Sequence, residues 1–231
     1  MEQLKQDARR LAVWNLAVSV AFFIIMAIFF SGKNPRIAQA DMLSFTGWNC
    51  FVEVIMLPLL FYLWFRFFKG LKNAYPDNND IKYAARIGTI AYIMISVAFA
   101  AAWIAAILDA YIITPDRFGC NINAYGIIPN NAVGQRCDVI QGAAKWMICL
   151  MYYILFKLSE PKSTMRRLTL ILALRSPFMI LVSLVVKMTF NVIFLDVIFW
   201  IVEFIFLWQI SKADCANFFV TSRSETEDAS R

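Results

Sequence analysis

The chain has 231 residues, of which 61% are hydrophobic, 16% aromatic and 16% charged, and its mean hydropathy is +0.62. Soluble domains run about 45–50% apolar and about 25% charged, so this is the composition of an integral membrane protein. There is no histidine, and none of the five cysteines forms a Cys-x-x-Cys pair; haem ligation, His-metal sites, Ser-His-Asp triads, thioredoxin-like centres and zinc ribbons are thereby excluded or disfavoured. The formal charge of +6 bears on how the chain sits in a bilayer rather than on nucleic acid.

The polar start MEQLKQDARR runs into LAVWNLAVSVAFFIIMAIFF, which is too long and bulky for a signal-peptide core and reads as a retained first span. At a span length of about 20 residues, apolar segments follow at 48–69, 87–113, 139–158, 167–187 and 191–211 after the first at 11–30. The expected fold is all-α, a six-span transmembrane bundle over residues 1–211. The breaks at 70–86 and 114–138 are rich in Pro, Gly and Asn. Residues 212–231, ending in SRSETEDASR, read as a disordered cytosolic tail.

Fifteen basic residues lie on the N-terminal side of the alternating spans (Lys5, Arg9, Arg10, Arg66, Lys69, Lys72, Lys82, Arg86, Lys157, Lys162, Arg166, Arg167, Lys212, Arg223 and Arg231). Five lie opposite: Lys33, Arg36, Arg117, Arg136 and Lys187. The positive-inside rule then places both termini in the cytosol, in an endomembrane or the plasma membrane. Trp14, Trp48, Trp64 and Trp208 fall near span ends, as an interfacial aromatic belt or as ordinary lipid-facing residues.

Cys120 and Cys137 both fall in the expected exterior loop, where an oxidising compartment favours a disulfide that restricts the unfolded chain by roughly 3 kcal/mol. Cys50 and Cys149 lie in spans as small packing residues, and Cys215 is a candidate for acylation. In the third span Ala98, Ala101, Ala102, Ala105 and Ala106 give small-xxx-small spacing. That seam serves either packing within the bundle or a homo-oligomer.

Ionisable residues inside spans cost at least about 2.5–3.5 kcal/mol each unless paired or hydrated. Arg175 lies twelve residues before the Lys187–Asn191 turn and Glu203 twelve after it, which predicts a structural ion pair at one level; a catalytic or proton-carrying Glu203 is the other reading. Pro177 is expected to kink the fifth span and free a carbonyl. Glu53, Asp109, Lys145 and Asp196 all count to roughly 6–9 Å below the outer surface, near Asn49, Gln141 and Tyr111. They form either a catalytic or proton-carrying layer with one raised carboxyl pKa, or a hydrated rim.

Spans one to four, the alanine-rich third span and the FGC and QRC of the second exterior loop resemble the fungal-type MARVEL tetraspan proteins over about residues 11–158. The resemblance implies a membrane-organising, sorting or assembly role, with membrane lipids as partners. MARVEL proteins stop after four spans, whereas here RRLTLILALRSPFMILVSLVV and NVIFLDVIFWIVEFIFLWQI add a hairpin. Glu53 in WNCFVE is similar to the carboxylate of small polytopic fungal terpene cyclases, without their Asn-x-x-Trp-Glu pattern.

Two classes of function therefore stand. One is a non-enzymatic membrane organiser. The other is an acid-lined pocket, acting either as an enzyme on an apolar, isoprenoid-like small-molecule substrate or as a proton-coupled transporter. No P-loop, GxGxxG or metal-ligand spacing occurs, so no cofactor and no metal is implied.

Overall fold

Helix boundaries in this chain are set by caps and proline rather than by where the apolar runs begin. The computed structural model describes residues 1–30, 55–108, 120–123, 126–129, 132–185, 189–212 and 219. Among them are seven α-helices: α1 (Glu2–Phe30), α2 (Leu57–Ala74), α3 (Asn79–Leu108), α4 (Ala132–Leu158), α5 (Thr164–Ala173), α6 (Arg175–Val185) and α7 (Thr189–Lys212). A short antiparallel hairpin, β1 (Cys120–Asn123) with β2 (Gly126–Pro129), pairs Cys120 with Pro129 and Asn123 with Gly126. The fold is thus helical, with one pair of four-residue strands in the segment expected to be a loop.

Three helices start seven or more residues before their apolar runs. α1 takes in the polar residues from Glu2, α3 begins at Asn79 rather than 87, and α4 begins at Ala132 rather than 139. At α3 the reason is a cap: the Asn78 side-chain oxygen accepts from the backbone N–H of Asp80 at 3.1 Å and of Ile81 at 3.0 Å, and Asp80 suits the positive end of the helix dipole. The break expected over 70–86 shrinks to the turn Tyr75–Asn78. At the other extreme, the fifth apolar segment is two helices. Pro177 lacks an N–H for the carbonyl of Ala173, and the helix is interrupted at Leu174 as that deficit requires.

Two helical stretches, Asn79–Ala105 and Ala132–Leu158, are long and apolar enough to cross a membrane; 39% of each apolar window is buried. Large apolar side chains are exposed on several helices. Val97 is 62% exposed, Ile104 58%, Val139 72% and Leu181 60%, and Ile24, Ile198 and Ile201 are also exposed.

The chain divides into two compact units, each described by itself. Unit 1 comprises residues 1–16, 63–91 and 145–231. Its core holds the ring cluster Trp64, Phe67 and Phe68, with centroids 5.4–5.7 Å apart, and the side chains of Leu4, Leu11, Leu71, Ile81, Tyr152 and Phe206. Trp64 is 1% exposed, so it belongs to this core and not to an interfacial belt. At Gly88 the helices approach so closely that a Cβ would lie 2.6 Å from the Phe68 ring and 2.7 Å from the Met151 sulfur. Phe219, within the tail expected to be disordered, is buried: it pairs by a β-bridge with Ser159 and meets the Tyr75 ring edge-on at 5.6 Å.

Unit 2 comprises residues 17–62 and 92–144. Phe61 meets Tyr92 at 6.3 Å and Phe99 at 6.0 Å. Ala98 and Ala102 are buried against Cys137, with Ala101 packed beside them, so this part of the small-residue face of α3 is covered by α4 of the same chain.

Candidate functional site

On α7, Phe199, Glu203, Phe206, Leu207 and Ile210 form one buried stripe at helical spacing. α1 buries Leu4, Asp7, Ala8, Leu11 and Asn15, and α4 buries Ile148, Met151, Tyr152 and Leu155 in the same way. Each stripe thus carries polar residues at positions whose spacing calls for apolar ones. Where they meet, Asn15 Nδ2 donates to Glu203 Oε2 at 3.0 Å and Tyr152 Oη donates to Glu203 Oε1 at 2.8 Å. Both carboxylate oxygens are engaged, and Glu203 is 5% exposed. The Tyr152 ring stands edge-on to Phe206 at 5.4 Å, which fixes the phenol's direction.

Asp7 is a second buried acid, on α1. Its Oδ1 lies 2.8 Å from a guanidinium nitrogen of Arg66 on α2, with the Asp7 side chain 1% and the Arg66 side chain 32% exposed. The contact is ionic rather than directional: neither oxygen of Asp7 receives an aligned hydrogen bond. Asn15 and Asp7 are not among the residues that the sequence marks as candidates. Their signal was there, in two polar residues eight apart on the apolar stripe of α1.

The expected Arg175–Glu203 pair is replaced by other contacts. The Arg175 guanidinium lies 5.8 Å over the Phe199 ring, one helical turn from Glu203, and Phe178 of α6 also meets Phe199, at 5.9 Å. Counting residues from the Lys187–Asn191 turn assumes a continuous helix and ignores rotation about its axis. The interruption at Leu174 lies before the counted stretch, so the failure is one of rotation: Glu203 is on the face of α7 that meets Asn15 of α1 and Tyr152 of α4.

The Cys120–Cys137 bridge is likewise corrected. Cys137 is a free, buried thiol packed against Ala98 and Ala102, because α4 starts five residues before it and turns it into a helix-face residue. Cys149 has more than a packing role: its thiol donates to Ser176 Oγ at 3.2 Å and lies 3.8 Å from the Leu172 carbonyl, at the interruption between α5 and α6.

Of the acid layer, Glu53 and Asp109 lie outside the described residues, as do Asn49, Tyr111 and the side chain of Asp196. Lys145 is partly buried on α4, and Gln141, one turn before it, is 1% exposed. Cys50, Cys215 and Trp48 also lie outside the described residues. Among the described residues no group of three or more His, Cys, Asp or Glu is placed to hold a metal ion.

The buried polar groups thus join helices: Asn15, Tyr152 and Glu203 tie α1, α4 and α7, and Asp7 with Arg66 ties α1 to α2. The chain matches no protein-family model, no curated protein and no solved structure.

Proposed function

We propose that this is a multi-pass integral membrane protein of six spans with cytosolic termini, acting without catalysis to organise, sort or assemble membrane components in the manner of MARVEL proteins. The observation that carries the reading is the inversion of polarity about the helices. Large apolar side chains such as Val97, Val139 and Leu181 face outward, while Asn15, Asp7 and Glu203 are buried and engaged with partners on other helices. Lipid is the solvent that suits such a surface. A carboxylate whose two oxygens are each held by a neutral donor acts as a strut between helices.

The test is reconstitution of the full chain into vesicles loaded with a pH-sensitive dye. The chain is expected to resist alkaline carbonate extraction and to add no proton flux above protein-free vesicles. A proton flux abolished by Glu203→Gln overturns the non-catalytic reading in favour of a proton-coupled transporter. Release of the chain by carbonate overturns the membrane-spanning reading itself.

A further inference from the structure

Three cations at one end of unit 1 are seated over aromatic rings. Lys157 Nζ lies 4.9 Å from the Tyr153 ring centroid, the Arg166 guanidinium 4.8 Å from Phe156, and Lys212 Nζ 5.1 Å from Trp208. The rings are themselves stacked in pairs, Tyr153 on Phe156 at 6.1 Å and Phe204 on Trp208 at 5.6 Å.

The three sit on one rim. Tyr152 and Phe206 touch, and Lys157 and Lys212 lie five and six residues further along α4 and α7, roughly 7–9 Å beyond that contact at 1.5 Å per residue. The Ser159–Phe219 bridge sets Phe219, seven residues past Lys212, beside the end of α4. α5 packs on α7 and brings Arg166 over Phe156 of α4. Lys162 and Arg167 are exposed beside them. Among the described residues none of these five cations is in ion-pair contact with a carboxylate, although Glu160 lies in the same turn.

A cation in an ion pair is neutralised, whereas a cation over a ring is held in place and keeps its full charge. Aromatic rings at this level are what a bilayer interface favours, and a positive rim free of ion pairs among the described residues is what the anionic cytosolic leaflet attracts. We propose that the rim made by the end of α4, the start of α5 and the end of α7 binds the headgroups of anionic phospholipids in the cytosolic leaflet. Lys157, Arg166 and Lys212 are the phosphate-facing groups, and the stacked rings are the platform beneath them. This rests on the membrane-spanning reading above and gives the organised lipid a class.

The experiment is native mass spectrometry of the full chain released from a neutral detergent, with phosphatidylserine, phosphatidylcholine or inorganic phosphate added. Each basic side chain at such a surface is worth about fivefold in affinity. Phosphatidylserine is expected to bind at least about 25-fold more tightly than phosphatidylcholine, and Lys157→Gln/Arg166→Gln to lose roughly 25-fold of that binding. Arg9→Gln/Arg10→Gln removes the same charge from exposed positions of α1 and is expected to cost about twofold or less. Equal losses in the two variants, equal binding of the two lipids, or displacement of phosphatidylserine by inorganic phosphate overturns the proposal. Thermal denaturation of both variants in the same detergent checks that they are folded; should Lys157→Gln/Arg166→Gln unfold, Lys212→Gln alone, expected to lose about fivefold, decides. Carbonate extraction separates the two readings: a chain that stays in the membrane yet shows no lipid preference refutes the lipid site alone, and a chain that is extracted refutes the spanning fold.

Discussion

The hydroxyl of Tyr152 and the carboxylate of Glu203, 51 residues apart in the chain, are 2.8 Å apart in the fold, both almost wholly buried. Removing the hydroxyl leaves a carboxylate oxygen without its donor while barely changing the packing of the ring on Phe206. Tyr152→Phe is therefore expected to destabilise by about 1–3 kcal/mol, seen as a lower Tm in detergent. In a double-mutant cycle with Glu203→Gln the two losses should be non-additive by about 0.6–1.7 kcal/mol. Simple additivity would show that the bond contributes nothing.

Gly88 and Gly142 make a matched pair of helical glycines. A Cβ at Gly88 would lie 2.6 Å from ring carbons of Phe68, whereas one at Gly142 would meet nothing within 4 Å. Gly88→Ala is expected to cost about 1–3 kcal/mol through overpacking. Gly142→Ala should be neutral or stabilising by up to about 1 kcal/mol through helix propensity. Thermal denaturation of the two variants side by side checks the contrast, and equal effects would place the close approach elsewhere.

Asp7 and Arg66 differ in burial, and the cost of separating them differs accordingly. Arg66→Leu strands a carboxylate that is 1% exposed and is expected to destabilise by about 3 kcal/mol. Asp7→Leu leaves an arginine with access to solvent and should cost less. The double substitution should recover much of the larger loss, measured as Tm.

Cys137 is expected to remain a thiol. Mass spectrometry of the freshly isolated chain without reductant should find it unbridged, and alkylation should reach it only after unfolding. Cys137→Ala should cost under about 1.5 kcal/mol, while Cys137→Phe, pressed against Ala98 and Ala102, should cost more.

Helical character and the positions of the apolar segments were legible in the sequence, because both follow from periodicity and composition. The break at Pro177 was legible too, since a missing N–H acts locally. Distances measured along the chain do not carry over into the fold. Equal counts from one turn set Arg175 and Glu203 at one height but leave open which face of its helix each side chain takes. The apolar run starts at 139 and so puts Cys137 in a loop, whereas α4 begins at Ala132. Trp64 near a span end looked interfacial, yet the rings of Phe67 and Phe68 enclose it. Asn15 is a single polar residue in an apolar run and Asp7 lies among the polar residues of MEQLKQDARR, so each stands out only once its helical face is known.

The bridge between Ser159 and Phe219 has a topological corollary. Two residues joined by a β-bridge are on the same side of any bilayer the chain crosses, so the number of crossings between them is even. Tyr75, in ring contact with Phe219, extends the parity: the crossings between Tyr75 and Ser159 are even as well. α5 and α6, with ten and eleven residues, extend to only about 15–17 Å each at 1.5 Å per residue, about half of a hydrocarbon core. Neither can cross alone. In the six-span reading proposed above, α7 is one crossing and α5 with α6 the other, which would set the interruption that Cys149 and Ser176 fill partway through the membrane.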